Sequence, residues 1–269
     1  MMTLFQQLAA AGLFILAALL PLQASAGDSL QRVIDFKVLK VGMSGNQPPM
    51  SMINREGGIM GFDVDLARAL AAAMQVKLDI KTMPFGDLMT ALEKDEIDMV
   101  ISGVSITPQR TETVTFVGPY MMSGKSILTR NSVLGKISST DEFNSADVKL
   151  LALEGSTSAS FVRNVAPAAR LTEVASYDAG VKMLIDGKAD AMVADMPMCV
   201  LAVLRYPDAG FTTLERPLTV EPIGIAISKE DTQFENLVSN YLRAYEKTGV
   251  LNQMRKKWFE DSSWVAALP

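Results

Sequence analysis

The chain has 269 residues, with 25 Lys plus Arg against 30 Asp plus Glu, so its formal net charge is −5. It contains no histidine and one cysteine, Cys199. These counts exclude His-dependent catalytic triads, HExxH zinc sites and an intrachain disulfide. Nucleic-acid-binding proteins typically carry an excess of basic residues. This chain has a net negative charge, so we expect no nucleic-acid partner. We also expect no metal or organic cofactor.

The N-terminus has the pattern of a secretory signal peptide. Residues 1–26 carry no charged side chain, and the apolar run from Gly12 to Leu22 leads into Ala24-Ser25-Ala26. This run is shorter than the ~20 residues that span a bilayer. We therefore expect cleavage after Ala26 and export to the periplasm. The residue directly after that point is Gly27 and not Cys, so we expect no lipid anchor there. No Lys or Arg precedes the run, which leaves a retained anchor or a misassigned start as the alternative.

From about residue 37, predicted strands and helices alternate. The strands are predicted from apolar or alternating runs at residues 38–41, 76–80, 97–101, 150–153 and 191–194. The helices are predicted from apolar faces at residues 63–74, 87–94, 156–165, 176–185, 231–247 and 250–259. This order predicts α/β architecture, with parallel strands and helices on both faces of each sheet. Cys199 falls in an apolar run and is expected to be an inert buried thiol.

Two segments echo each other and predict two lobes. Residues 92–100 and 184–192 each show a helix end, a polar turn and an apolar strand that begins at an Asp. The strands lead into Ser102-Gly103 and Ala194-Asp195. Ligands of open α/β sheets bind beyond the carboxyl ends of strands, so both exits are expected to face a shared cleft.

Arg110 is the side chain most suited to binding an anion. Thr107 followed by Pro108 predicts a helix start, which places Arg110 in the first turn. A cation there opposes the helix dipole, so we expect an anionic partner. A guanidinium beside hydroxyl groups suits a carboxylate, which it binds bidentately. A surface ion pair with Glu112 or another acid is the alternative.

A set of motifs in order resembles the family 3 extracellular solute-binding proteins, the polar-amino-acid receptors of ABC importers. The first is Gly61-Phe-Asp-Val-Asp-Leu66, and the second is the Thr-x-x-Arg turn at 107–110. The segment Phe116-Val-Gly-Pro-Tyr120 follows, and the likeness runs from about residue 37 to 260. The resemblance implies a type II periplasmic-binding-protein fold with two lobes. Each lobe is a mixed, mainly parallel sheet flanked by helices, and two hinge strands join the lobes.

The resemblance also implies roles for individual residues. Arg110 corresponds to the arginine that binds the ligand's carboxylate, with Gly103 and Ser105 as backbone and hydroxyl contacts. Thr157, in the Gly155-Ser156-Thr157 turn, corresponds to the carboxylate contact of the second lobe, and Ser156 is included beside it. Asp195 corresponds to the acid that holds the ligand's ammonium group. Its alternative role is to cap the helix expected near Pro197.

The side-chain pocket departs from relatives that stack aromatics on the ligand. The first loop offers Gln47 and Met50 in place of aromatics, while Phe85 is retained on the other side. A more polar pocket is therefore expected. Glu154 precedes the Gly155 turn, and the sequence does not decide whether it faces the pocket or solvent.

The resemblance implies a discontinuous arrangement of domains. Residues 27–121 and 223–269 form lobe 1, residues 122–222 form lobe 2, and hinge segments lie at about 120–125 and 218–224. The implied function is ligand capture by lobe closure, with a small polar ligand that is first of all an α-amino acid. The implied partner is the permease of an ABC transporter in the inner membrane, and we expect the protein to be a monomer.

Two other functions stay open at this stage. Some relatives resemble cyclohexadienyl or arogenate dehydratases, which use a carboxylic acid in the cleft as general acid, and Glu154 or Asp195 could serve. Formation of an aromatic product from prephenate or arogenate would identify such an enzyme. The other alternative is a binding component that serves a membrane sensor.

Overall fold

Two mixed β-sheets, each flanked by helices, form the two lobes. The computed structural model describes residues 29–131, 134, 140–229 and 231–269, so the predicted signal peptide lies outside the described residues. The strands are β1 (Val38–Met43), β2 (Asn46–Gln47), β3 (Ser51–Ile53), β4 (Ile59–Met60), β5 (Lys77–Thr82), β6 (Met99–Val100), β7 (Val114–Ser123), β8 (Lys125–Thr129), β9 (Lys149–Leu153), β10 (Arg170–Val174), β11 (Ala191–Asp195) and β12 (Glu221–Ser228). The helices are α1 (Ser29–Phe36), α2 (Phe62–Ala73), α3 (Leu88–Glu93), α4 (Thr157–Val165), α5 (Tyr177–Ile185), α6 (Met196–Arg205), α7 (Thr232–Lys247) and α8 (Val250–Arg255).

The strand order confirms a mixed and mainly parallel architecture. The first sheet has the order β5-β1-β6-β12-β7, in which β5, β1 and β6 are parallel and β12 is antiparallel to both neighbours. The second has the order β10-β9-β11-β8, and only β8 is antiparallel to its neighbour. The short strands β2, β3 and β4 make a separate antiparallel sheet.

Apolar faces explain why the helices pack on these sheets. Leu66 and Leu70, four residues apart on α2, are both fully buried in the same core as Leu39 and Val41 of β1. A second buried cluster extends from Leu88 of α3 across to residues of the second sheet. The lobes therefore share apolar contacts in addition to their polar ones. Among the described residues, no helix is both long and apolar enough to span a membrane.

The chain passes between the sheets where β7 ends and β12 begins. The ladder of these two strands ends at the pair Ser123 and Glu221, and β8 of the second sheet starts two residues later at Lys125. Gly124 allows the crossing segments to approach closely, because a Cβ there would lie 2.0 Å from the Thr219 carbonyl oxygen. The predicted hinges at 120–125 and 218–224 include this crossing. Their hinge role and the exact division into lobes stay predictions.

The predicted elements differ from the structure in a few places. The strand expected at 97–101 is limited to Met99–Val100, because the pairing with β1 covers only Val41 and Gly42. Helix α1, the small three-stranded sheet and the strands β8 and β10 were not predicted, and β7 and β12 were predicted only at their hinge ends. Cys199 is fully buried and unbridged, and burial raises the pKa of its thiol to about 12, so it is not a reactive thiolate.

Candidate functional site

Arg110 lies between the lobes and contacts both. Its Nη1 donates to the Ser105 carbonyl at 2.9 Å, and its Nη2 donates across the cleft to the Gly155 carbonyl at 3.3 Å. The guanidinium also lies over the Phe85 ring, 5.7 Å from the centroid. Burial lowers the pKa of Arg110, but the carboxylates of Glu221 and Asp195 oppose the shift. An arginine remains protonated at neutral pH, so this part of the cleft is cationic.

The turn that carries Arg110 is shorter than predicted. Thr107 does cap it, since the Arg110 backbone N–H donates to Thr107 Oγ1 at 3.2 Å. The helix itself is one 3₁₀ turn, Arg110–Glu112. The hydrogen bonds of the guanidinium go to the carbonyl oxygens of Ser105 and Gly155 and not to Glu112.

The second lobe presents the start of α4 to Arg110 and Ser105. Thr157 is the first residue of this helix, and its Oγ1 lies 3.3 Å from Ser105 Oγ in the other lobe. Ser156 is the N-cap: its hydroxyl accepts from the Ala159 N–H at 3.2 Å and donates to the Leu153 carbonyl at 2.6 Å. The hydroxyl of Ser156 thus serves the cap of α4, and the expected ligand contact of Ser156 stays a prediction. Thr157 keeps a position that faces the cleft.

Asp195 ends β11 and pairs with a lysine of the same chain. It precedes α6, but its side chain makes no capping hydrogen bond to the helix. Its Oδ1 instead accepts from Lys125 Nζ at 2.8 Å. The Lys125 side chain is 1% exposed and that of Asp195 is 20% exposed. Asp195 thus occupies the N-cap position of α6 without a side-chain capping bond, and the chain itself supplies a cation to its carboxylate.

Glu221, at the start of β12, is a site residue that the sequence did not reveal. Its Oε2 accepts from Ser105 Oγ at 2.6 Å and from Thr157 Oγ1 at 2.9 Å, and lies 3.1 Å from Lys125 Nζ. Burial alone would raise its pKa. The charge of Lys125 and the hydrogen bonds from Ser105, Lys125 and Thr157 outweigh burial, so the pKa of Glu221 is lowered and the side chain stays ionised.

The backbone N–H of Gly103 is also committed within the chain. It donates to Asp63 Oδ2 at 2.7 Å, while the Tyr120 hydroxyl donates to Asp63 Oδ1 at 2.9 Å. Gly103 adopts φ +57°, a conformation that favours glycine. Asp63 is fully buried, and although these hydrogen bonds oppose it, burial raises the pKa of its carboxyl to about 7. Gly103 therefore positions the loop on Asp63 through its N–H, and its expected backbone contact with the ligand stays a prediction.

The remaining predicted pocket residues are Gln47, Phe85 and Glu154, and each has a different environment. Gln47 is 5% exposed, and its Oε1 accepts from the hydroxyls of Ser44 and Ser102. Phe85 is buried beneath the Arg110 guanidinium. Glu154 is exposed on the loop after β9, which favours the solvent-facing one of its two open alternatives.

Two spaces meet at this cleft. A small cavity of about 20 Å³, enough for about one water molecule, lies between lobe 1 and lobe 2. Its polar lining comes from Gln47, Gly103, Ser123, Tyr177 and Asp195, and its apolar lining includes Met50 and Met198. On the Arg110 side a groove of about 770 Å³ opens between the lobes beside Thr157. We use "the slot" for the region between Ser105, Arg110, Thr157 and Asp195.

Tyr177, Lys125 and Glu221 were missed because each lies outside the motifs of the sequence. Lys125 is followed by the buried residues Ser126-Ile127-Leu128, and a lysine at the start of such a strand needs a carboxylate nearby. That signal could have identified Lys125. It could not have named Glu221, which lies about a hundred positions away in the chain.

Comparison with known proteins places this geometry in a family. The family model of the bacterial extracellular solute-binding proteins, family 3, matches residues 39–261. The cyclohexadienyl dehydratase of Pseudomonas aeruginosa is 28% identical over 248 residues, which cover 90% of this chain and 92% of the relative. The ABC transporter arginine-binding protein 1 of Escherichia coli is 27% identical over 252 residues, which cover 91% and 98%.

The fold comparison agrees. The crystal structure of an ancestral amino-acid-binding protein, a precursor of cyclohexadienyl dehydratase, superposes with a TM-score of 0.79 and 32% identity. The match covers 86% of this chain and 99% of that protein. With most of its length matched by the family model and the two-lobed fold shared, this chain belongs to the bacterial extracellular solute-binding proteins of family 3.

Proposed function

We propose that this protein is a periplasmic solute-binding protein that captures an α-amino acid by lobe closure and delivers it to an ABC importer. The slot carries the proposal, because polar groups from both lobes meet in it. Ser105 Oγ of lobe 1 and Thr157 Oγ1 of lobe 2 are 3.3 Å apart. A ligand that binds both sets of groups favours the closed arrangement over the open one.

Each charged end of an amino acid has a counterpart in the slot. The carboxylate is received by Arg110 together with the hydroxyls of Ser105 and Thr157, which we call the carboxylate subsite. The ammonium group is received by Asp195, which has a second carboxylate oxygen beside the one bound to Lys125. The names of the relatives support this ligand class, since one is called an arginine-binding protein and another an amino-acid-binding protein.

The dehydratase relative makes an enzyme the second candidate. A general acid must hold a proton at working pH. Asp195 is paired with Lys125, and the pKa of Glu221 is lowered, while Glu154 is exposed. Asp63 has a raised pKa, but its oxygens are fully buried beneath Gly103 and Tyr120. These environments favour binding over proton transfer.

A ligand screen tests the proposed function. Each of the twenty amino acids is added to the purified protein, and the thermal midpoint is measured. A ligand at 100 times its Kd adds about 2.7 kcal/mol of stability, which raises Tm by roughly 5–10 °C. The proposal fails if no amino acid raises Tm and none gives heat in calorimetry.

Substitution of Arg110 tests the carboxylate subsite with the amino acid found in this way. We expect Arg110→Ala to weaken binding at least about 100-fold, because two charge-assisted hydrogen bonds to the ligand are lost. Arg68→Ala is the matched control, since that arginine is 57% exposed and pairs with Asp65 on α2. Near-native affinity of the Arg110 variant in calorimetry would remove the assigned role.

A further inference from the structure

The carboxylate subsite already holds a carboxylate that belongs to the chain. The hydroxyls of Ser105 and Thr157 both donate to one oxygen of Glu221, at 2.6 and 2.9 Å. Because Ser105 and Thr157 come from opposite lobes, Glu221 bridges the lobes at the point where a ligand's carboxylate is expected. Its other oxygen, Oε1, accepts from Thr219 Oγ1 at 3.1 Å, so both oxygens are held.

Lys125 and Glu221 together resemble the two charged ends of an amino acid bound in the slot. Its Nζ lies 3.1 Å from Glu221 Oε2 and 2.8 Å from Asp195 Oδ1, and its side chain is 1% exposed. The ammonium of Lys125 thus faces Asp195, while the carboxylate of Glu221 faces Ser105 and Thr157. These are the two ends that the proposed function assigns to an amino acid.

The backbone fixes both side chains in place. Glu221 pairs with Ser123 at the end of the β7–β12 ladder, and Lys125 begins β8 immediately after the crossing. The Lys125 backbone N–H donates to Thr219 Oγ1 at 2.9 Å, and the same hydroxyl donates to Glu221. Thr219 therefore couples the two residues where the chain passes between the lobes.

We propose that Glu221 is a specificity-determining residue which competes with the ligand's carboxylate for Ser105 and Thr157. This inference rests on the proposed function. Two carboxylates cannot share these two donors without like-charge repulsion at short range, so a ligand's carboxylate enters only as Glu221 leaves. Displacement of Glu221 therefore offsets the part of the carboxylate's affinity that Ser105 and Thr157 supply, while the part supplied by Arg110 remains. Glu221 thus reduces the preference of the slot for an α-amino acid over the amine with the same side chain.

Paired ligands and the variant Glu221→Ala test this proposal in calorimetry. The probes are L-arginine with agmatine, L-lysine with cadaverine and L-glutamine with 4-aminobutanamide, and the pair whose amino acid raises Tm most is used. We expect the wild-type protein to bind the amino acid more tightly than the amine, because Arg110 still binds the ligand's carboxylate. In Glu221→Ala the amino acid should bind at least about tenfold more tightly, because Ser105 and Thr157 are free to donate to its carboxylate. The amine should change by less than about threefold.

Controls separate this inference from the proposed function. Glu215→Ala removes an exposed glutamate six residues before Glu221 in the chain. It should leave the affinities for the amino acid and for the amine unchanged. If the alanine variant does not fold, Glu221→Gln removes the charge with the side-chain shape kept, and the same preference for the amino acid is expected. Equal tightening of both ligands, or no tightening of the amino acid, would overturn the role of Glu221. If neither wild type nor variant binds any amino acid, the proposed function itself fails.

Discussion

At the scale of single residues, charge pairing within the chain dominates the slot. The sequence predicted Arg110, Ser105, Thr157 and Asp195, and the structure brings all four to one cleft. It could not predict that Glu221 joins them, because that contact depends on the pairing of two distant strands. Gly103 and Ser156 belong to the same motifs, and the Gly103 N–H binds Asp63 while the Ser156 hydroxyl caps α4.

Asp63 gives the most direct prediction from a buried charge. Its pKa of about 7 in the folded protein lies above the ordinary aspartate pKa of 3.8. Between these values the unfolded chain has lost its proton while the folded protein keeps it. The contribution of Asp63 to stability is therefore full below pH 4 and is lost as pH rises through 7, by up to roughly 4 kcal/mol.

The variant Asp63→Asn should lack this loss, because an amide resembles the protonated carboxyl and can still accept from Gly103. Urea unfolding from pH 4 to pH 8 measures the effect, with the exposed Asp208→Asn as control. We expect the stability of wild type to fall relative to that of the Asp63 variant over this range. If the difference in free energy of unfolding between wild type and Asp63→Asn stays constant from pH 4 to pH 8, Asp63 does not titrate in this range.

At the scale of elements, local signals predicted most helices and left the short or non-local pieces unpredicted. Helix α4 shows why, since Ser156 caps it and Val162 lies on its buried face, so the sequence alone favours it. The strand β6 is different. Its two residues pair with Val41 and Gly42, and no local pattern sets that limit.

The cap of α4 can be tested by substitution. Ser156→Ala removes the acceptor of the Ala159 N–H and should destabilise the protein by about 1 kcal/mol, which lowers Tm by roughly 2–4 °C. Ser160→Ala, at an exposed position of the same helix, should leave Tm nearly unchanged or slightly raised. Differential scanning calorimetry of the two variants is the measurement. Equal midpoints for both would mean that the cap contributes nothing.

At the scale of the whole molecule, the sequence predicted the class of fold. It did not predict the contacts that hold the two lobes together. The alternation of strands and helices was enough to predict two α/β lobes, and the order of the sheets agrees with it. The distance between lobes depends on contacts such as Arg110 with Gly155 and Glu221 with Thr157. Each joins residues far apart in sequence, so no local pattern contains it.

A crystal structure of the protein with the amino acid that raises its Tm most tests the central claim directly. We expect the ligand between the lobes, with its carboxylate within hydrogen-bond distance of Arg110 and Thr157 and its ammonium group at Asp195. We further expect Glu221 to have moved away from Ser105 and Thr157. An amino acid bound to one lobe alone, or in the groove beside Gly118 to Met122, would contradict capture in the slot.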